Sequence, residues 1–355
     1  MRILVDMLTP KQVLFLGELS NRLEESGHKV VRVTRSFRET VQLLRMKKMK
    51  AKIIGAHRTT LDGKLRESLI RTARLARLMK DQRIDLAVAY PSVEASRSAF
   101  GLSIPYYCIS DSPHAEAVSR LSIPLAAKLF SPAVIPVEDW TRYGISSSSI
   151  IQYNALDPYV WIRDAKPDQK MLKKNGLELD SKIITLRLEE SFAAYLMNQA
   201  GGWRTLAVRI AEELLKRKCE ARIVVLARYR EQYAAFRKLR DKVTLPKAQV
   251  YGASLLASTS VFIGGGGTMT AEAAMMGTPA ISYFPAGPTR VESFLQQRGL
   301  LIRIQDPESI AEQAMSWLED DAYRAECKMR AERLLREMED PLEVIGSNIN
   351  REAQH

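Results

Sequence analysis

Short apolar segments suited to buried strands alternate with amphipathic stretches along almost the whole chain, and this alternation restricts the fold more than any other feature. Ile3 to Asp6, Lys29 to Thr34, Ala51 to Ile54, Ile84 to Ala89, Ile104 to Ile109 and Ser131 to Pro136 read as strands. Between them, Lys11 to Ser26, Arg38 to Met49, Gly63 to Gln82 and Ser92 to Phe100 read as helices, with Asp62 the expected cap of the third. A second series begins near Ser181. Its strands are Lys182 to Leu186, Arg222 to Ala227, Val250-Tyr251, Ser260 to Ile263 and Pro279 to Tyr283, and its helices are Gly202 to Lys216, Glu231 to Leu239 and Thr268 to Met276. Strands separated by helical segments of roughly 10–20 residues imply βαβ units and parallel sheets covered on both faces. Asn154 to Asp180 lacks a clean period and contains Pro158 and Pro167, so it reads as a linker. The expected organisation is a first domain over 1–153, a linker over 154–180, a second domain over 181–340 and a C-terminal tail over 341–355, whose return to the first domain is left open. A chain of 355 residues fits two domains. The expected class is α/β, with two doubly wound, Rossmann-like domains facing across a cleft.

Hydrophobic residues at 46% and charged residues at 26% exclude a disordered chain, a collagen-like repeat and a disulfide scaffold. Cys108, Cys219 and Cys327 form no CxxC pair and have no nearby histidine, which argues against a zinc site and for a reducing cytosol. The first apolar run is too short for a signal peptide, and no 18-residue uncharged apolar run exists. A cytoplasmic protein is therefore expected, with a peripheral position at the inner face of the membrane as an option.

The sharpest motif is Ile263-Gly264-Gly265-Gly266-Gly267-Thr268-Met269-Thr270-Ala271-Glu272, followed by Gly277-Thr278-Pro279. A buried strand runs into four glycines that open directly onto a helix. Glycines let backbone N–H groups approach a ligand, and a helix N-terminus carries partial positive charge. Together they favour an anion, with diphosphate the usual occupant. No Gly-Lys-Ser/Thr follows, so this is not a Walker A loop. Glu272 lies about one turn into the helix, where it can reach a pair of ribose hydroxyls.

This string resembles the nucleotide-binding segment of GT-B glycosyltransferases, such as the GlcNAc transferase of peptidoglycan synthesis, and of the non-hydrolysing UDP-GlcNAc 2-epimerases. The resemblance implies that Glu272 binds the ribose of UDP, that Gly264, Gly265, Gly266, Gly267 and Thr268 hold the diphosphate, and that Tyr251 lines the base pocket. A closer likeness covers most of the chain. Asp6 to Phe15, Gly27-His28-Lys29-Val30, Ala99 to Pro105, Asp111 to Pro124 and Phe262 to Ser282 are similar to a prokaryotic, largely archaeal family known as domain of unknown function 354. That family implies a GT-B-like fold and a nucleotide ligand, and no particular reaction.

Three further places bear on chemistry. The loop Asp6-Met7-Leu8-Thr9-Pro10-Lys11-Gln12 follows the first strand and is expected at the cleft. Asp6 is a catalytic candidate there, with a turn or cap role as the alternative, and Thr9 and Gln12 are expected on the acceptor or sugar side. The family usually has histidine where Gln12 stands. The second place is Asp111-Ser112-Pro113-His114-Ala115-Glu116-Ala117-Val118-Ser119-Arg120, similar to the His-x-Glu-Ala-x-x-Arg segment of the epimerases. His114 and Glu116 are candidates for proton transfer, with Asp111 and Arg120 beside the acceptor or sugar. The third is Arg187 with Leu188-Glu189-Glu190-Ser191-Phe192, where Arg187 suits phosphate in fork geometry. Glu190-Ser191-Phe192 resembles an epimerase Glu-Asn-Phe, without the epimerase histidine. Arg228 is a second candidate phosphate or base contact, with a solvated arginine as the alternative.

Lys29 to Arg83 holds 17 basic and 4 acidic side chains. Its Lys64-to-Lys80 helix is basic and amphipathic, which allows contact with an anionic membrane. The preferred reading is a helix whose apolar side covers the sheet while its arginines are solvated. No nucleic-acid module is present, so no nucleic-acid partner is expected.

The expected function is a glycosyltransferase-like enzyme with a UDP-sugar donor held in the cleft between the domains. It would work without a metal or cofactor, the helix dipole and arginines neutralising the diphosphate. A 2-epimerase is the alternative, and a nucleotide-sugar-binding protein that has lost its chemistry is another. The acceptor is not specified by the sequence.

Overall fold

The computed structural model describes residues 1–177, 181–188, 206–218, 220–227, 230–246 and 250–353. The first strand, β1 (Arg2–Asp6), leads into α1 (Pro10–Glu25), β2 (Lys29–Ser36), α2 (Arg38–Met46), β3 (Lys52–Ala56), α3 (Leu61–Asp81), β4 (Leu86–Ala89), α4 (Val93–Gly101), β5 (Tyr106–Ile109), α5 (Glu116–Ser122), β6 (Lys128–Pro132), α6 (Glu138–Thr141) and β7 (Ile150–Tyr153). Seven strands form one parallel sheet in the order β3-β2-β1-β4-β5-β6-β7. The inner strands β4 and β5 are buried along their whole length, as strands covered by helices on both faces must be.

α1 forms because Thr9 caps it, Pro10 opens its first turn, and Val13, Phe15, Leu16, Leu19 and Leu23 share a buried face. α3 is capped by the Thr60 side chain, which accepts from Gly63 N at 3.1 Å. The cap expected of Asp62 is therefore corrected: Asp62 sits in the first turn and pairs with Arg66.

The chain continues through α7 (Tyr159–Ile162), α8 (Gln169–Lys174), β8 (Ile183–Arg187), α9 (Leu206–Lys216), β9 (Arg222–Leu226), α10 (Arg230–Ala235), α11 (Gly252–Leu256), β10 (Val261–Gly264), α12 (Thr268–Met275), β11 (Ala280–Ser282), α13 (Arg290–Gln297), β12 (Leu301–Arg303), α14 (Pro307–Glu319), α15 (Asp321–Glu337) and α16 (Pro341–Glu352). The second sheet is also parallel, in the order β12-β11-β10-β8-β9.

Two units result: Met1–Val160 with Glu339–His355, and Trp161–Met338. α16 belongs to the first. Leu342, Ile345 and Ile349 are buried, Arg22 bonds Asp340 at 2.8 Å, His28 meets Asn350 at 2.8 Å, and Tyr107 donates to Glu352 at 2.6 Å. In the second unit, Met171, Leu172 and Leu177 pack with Ile183, Val224 and Leu255. Much of the stretch expected to be a linker is thus part of a core, because its apolar residues cover one face of the sheet. Val250-Tyr251, expected as a strand, instead leads into a helix, with Tyr251 the N-cap residue of α11. Cys108 and Cys327 are buried and form no disulfide, and Cys219 lies outside the described residues.

Candidate functional site

In a doubly wound sheet the ligand crevice opens at the carboxyl ends of the strands, where the strand order reverses. In the second unit this reversal lies between β8 and β10, so Arg187 and the glycine loop 264–267 occupy it. The loop is fastened from below: Gly265 N donates to Arg187 O at 3.0 Å, and Tyr283 N donates to Gly264 O at 2.9 Å. Gly266 and Gly267 have φ of +90° and +92°, the left-handed region that favours glycine. A Cβ on Gly266 would stand 2.5 Å from the Phe284 ring, whereas one on Gly267 would meet nothing within 4 Å. The loop is closed toward Phe284 and open at Gly267.

Most long helices here carry a side-chain cap: Thr60 on α3, Ser92 on α4, Thr289 on α13 and Asp306 on α14. α12 has none. Its N-cap is Gly267, and its first turn contains no acidic residue. The first-turn N–H groups of an uncapped helix need an acceptor from elsewhere, and the dipole favours an anion. Glu272 is buried on α12. A methyl on Gly252 would lie 3.6 Å from Glu272 Oε2, so the carboxylate rests against the start of α11 beside Tyr251. Burial, with Glu272 adding to it, pushes the Tyr251 phenol up to about 12. The structure thus gathers Gly264, Gly265, Gly266, Gly267, Thr268, Glu272, Tyr251 and Arg187 in one part of the second unit. Arg187 Nη1 donates to Leu226 O at 3.0 Å. Arg228 and Glu189 to Phe192 lie outside the described residues.

A buried network shapes the same edge and was not read from the sequence. Glu292 accepts from Ser282 at 2.8 Å and from Arg303 at 3.0 Å, and Arg303 also donates to Phe284 O and Ala286 O. It fixes the segment that brings Phe284 against Gly266. The Thr289-x-x-Glu292 capping box was its only local signal.

In the first unit the strand order reverses between β1 and β4. Asp6, at the end of β1, is fully buried. Its carboxylate accepts from Arg71 at 2.6 and 3.0 Å and from Ser92 Oγ at 2.8 Å. Asp6 is held in a bidentate ion pair inside the unit, so its position is that of a structural group rather than of an exposed base. Thr9 and Gln12 act on the start of α1: Thr9 Oγ1 accepts from Gln12 N, and Gln12 Oε1 accepts from Leu8 N at 2.6 Å.

A second cluster surrounds Lys11. Its ammonium pairs with Asp111 and, at 2.8 Å, with Asp157. Asp157 also accepts from Tyr90 at 2.8 Å and Tyr153 at 2.6 Å. Burial opposes charge throughout, yet the two carboxylates hold Lys11 above the usual lysine range. Burial would also raise Asp111, but Lys11 draws it down. Burial pushes Asp157 up, with Lys11 opposing and Asp111 adding to the rise. Of this group only Asp111 was singled out from sequence. The rest come from α1, the residue after β4, and the end of β7 with the chain just beyond it, too far apart in sequence to suggest one another.

His114 is exposed and close enough to Asp111 to help lower it. Glu116 and Arg120 form an exposed pair one turn apart on α5. With Arg142 and Tyr143 they line an open depression of about 480 Å³. Arg142 and Tyr143 both donate to Pro113 O, which fixes the loop carrying His114. Among the described residues no group of three His, Cys, Asp or Glu side chains is placed to hold a metal ion.

His57 packs against Phe37, ring centroids 4.9 Å apart and the planes tilted by 39°. Burial, then Arg35 and Lys64, push its imidazole down to about 4. Protonation is therefore easier in the unfolded chain. The stability held by neutral His57 is present above the unfolded value near 6.5 and is lost as pH falls toward 4. His57 is only half buried, so solvent screening reduces the effect to roughly 1 kcal/mol. Between about pH 7 and pH 4.5, urea unfolding should show a larger loss in the native chain than in His57→Gln. Equal losses would remove this role.

A model of the family described as "Protein of unknown function (DUF354)" matches residues 1–354. An uncharacterized protein of Methanocaldococcus jannaschii is 26% identical over 350 residues, 97% of this chain and 96% of its own. The structure of the UDP-GlcNAc 2-epimerase from Neisseria meningitidis bound to UDP-GlcNAc superposes with a TM-score of 0.75 at 17% identity, over 100% of this chain and 99% of that one. Spinosyn forosaminyltransferase superposes with a TM-score of 0.65 at 16% identity, over 100% of both chains. These likenesses establish the fold alone, that of the GT-B proteins, with two parallel α/β sheets.

Proposed function

The chain belongs to the DUF354 family, and from its glycine loop we propose that it is a glycosyltransferase-like enzyme using a nucleoside-diphosphate sugar, with UDP as the nucleotide. The observation that carries this reading is the uncapped N-terminus of α12 behind Gly264–Gly267, at the order reversal of the second sheet, with Glu272 buried one turn further on. The first-turn N–H groups, including that of Thr268, take the diphosphate. Glu272 accepts from the ribose hydroxyls, Tyr251 lies along the base, and Arg187 contacts phosphate. A UDP-sugar is supported by the UDP-GlcNAc held by the Neisseria meningitidis epimerase of the same fold.

The leaving diphosphate gathers charge as the glycosidic bond breaks. The helix N-terminus stabilises it without reorganisation, and this part of the reaction uses no metal or cofactor. In the first unit, His114 beside Asp111 is the candidate proton acceptor from the incoming hydroxyl, and Lys11 keeps Asp111 ionised so that it can orient the imidazole. Asp6 enters as the partner of Arg71, shaping the edge that carries Ser92. Glu116 and Arg120, lining the depression, stand on the acceptor or sugar side.

Epimerisation is the second reading, favoured by Glu116 within its His-x-Glu-Ala-x-x-Arg segment. Incubating the protein with UDP-GlcNAc separates the cases. UDP release that requires an added acceptor supports transfer. An epimer formed without acceptor moves the assignment to the second reading. Binding of UDP without turnover supports the binding protein, and no binding at all contradicts a nucleotide site.

A further inference from the structure

Ten of the twelve exposed large hydrophobic residues among those described belong to the first unit, and most of them to α3, α4 and α5. α3 does not carry its apolar residues as its sequence suggests. Arg71, Leu75 and Met79 form its buried line, whereas Leu61, Leu65 and Leu69, four residues apart, are 72%, 63% and 64% exposed, with Ile70 beside them. α4 and α5 continue the layer: Ser98 Oγ donates to Thr72 O, and Ser96 Oγ to Leu121 O. They add exposed Phe100 and Leu121. None of these side chains belongs to the buried core among the described residues.

Basic groups accompany the apolar stripe. Arg66, Arg74, Arg77 and Lys80 on α3, and Arg97 on α4, are exposed. Leucines on the outer face of a helix, flanked by long side chains that can reach upward with their charge, are matched to a surface that is apolar within and anionic at its rim. A second copy of this chain, joined symmetrically, would set these positive helices against each other. Among the described residues no helix is long and apolar enough to cross a membrane, so such a contact lies along the surface.

We infer that the outer face of α3, α4 and α5 docks on an anionic lipid bilayer, Leu61, Leu65 and Leu69 entering the acyl boundary while the arginines meet the headgroups. The inference does not depend on the reaction. It is tested by sedimenting the full chain with phosphatidylcholine vesicles, with and without one-third phosphatidylglycerol. The native chain should bind the anionic vesicles about tenfold more tightly than the neutral ones, and less tightly as salt is raised. Leu65→Asp with Leu69→Asp should weaken binding by about tenfold or more. Arg74→Glu with Arg77→Glu should do the same from the charge side. All four positions are exposed, so melting temperatures should match the native chain. Native binding to neither vesicle, or unchanged binding by the leucine variant, overturns the inference. A native dimer that Leu65→Asp with Leu69→Asp splits, without vesicle binding, also overturns it by assigning the face to a second copy.

Discussion

Arg71→Met should destabilise the first unit by about 3–5 kcal/mol, the usual cost of removing one partner from a buried ion pair. Arg71 is 2% exposed and Asp6 is 0% exposed. Two of the guanidinium's donors meet the Asp6 carboxylate, and its Nε donates to Ile54 O at 2.9 Å. Methionine fills a similar volume and satisfies none of these acceptors. Asp6 would keep the Ser92 hydroxyl as a hydrogen-bond donor and the weaker attraction of Arg35, and would otherwise lie charged and buried without its main partner. Because the chain has two units, the loss should be read where it occurs, as amide exchange of β1 and β4. Protection there should fall by about a hundredfold or more, with β8 and β10 little changed. A second variant checks the cause. Asp6→Leu with Arg71→Met removes both charges, and by the behaviour of other buried pairs it should regain much of the lost protection. Protection unchanged by the single substitution would show that the pair contributes little.

This pair also marks where sequence reading stopped. The order of strands and helices was legible because β4 and β10 are continuous apolar runs, β1 has an apolar centre at Ile3 to Val5, and α1 has a cap, a proline and a helical period. The glycine loop was legible because four consecutive glycines have few structural explanations. Arg71 was not, because an arginine in a basic helix is ordinarily solvated, and only the fold shows that Asp6 lies 65 positions away yet at 2.6 Å. The same holds for Lys11 with Asp157, and for the outward leucines of α3. Periodicity finds an apolar stripe but does not say which stripe meets the sheet. β12 is three residues long and carries no usable pattern. Met171 and Leu172 were hidden in a proline-bearing stretch whose helices are four and six residues long.

Glu272→Ala should weaken UDP binding by about ten- to a hundredfold or more, since a hydrogen bond to a charged group contributes about 1.5–3 kcal/mol and the proposed site has the carboxylate accept from two ribose hydroxyls. The glycine loop and the N-terminus of α12 remain in the variant, so a free diphosphate should bind almost as before. Glu272→Gln keeps the shape and one acceptor and should fall between. The most direct measurement is calorimetric titration of UDP into the native chain and into Glu272→Ala. The account predicts saturable binding by the native chain and a loss of at least about tenfold in the variant. Equal affinity in both, or no binding to either, would contradict a nucleotide site built on the glycine loop and Glu272.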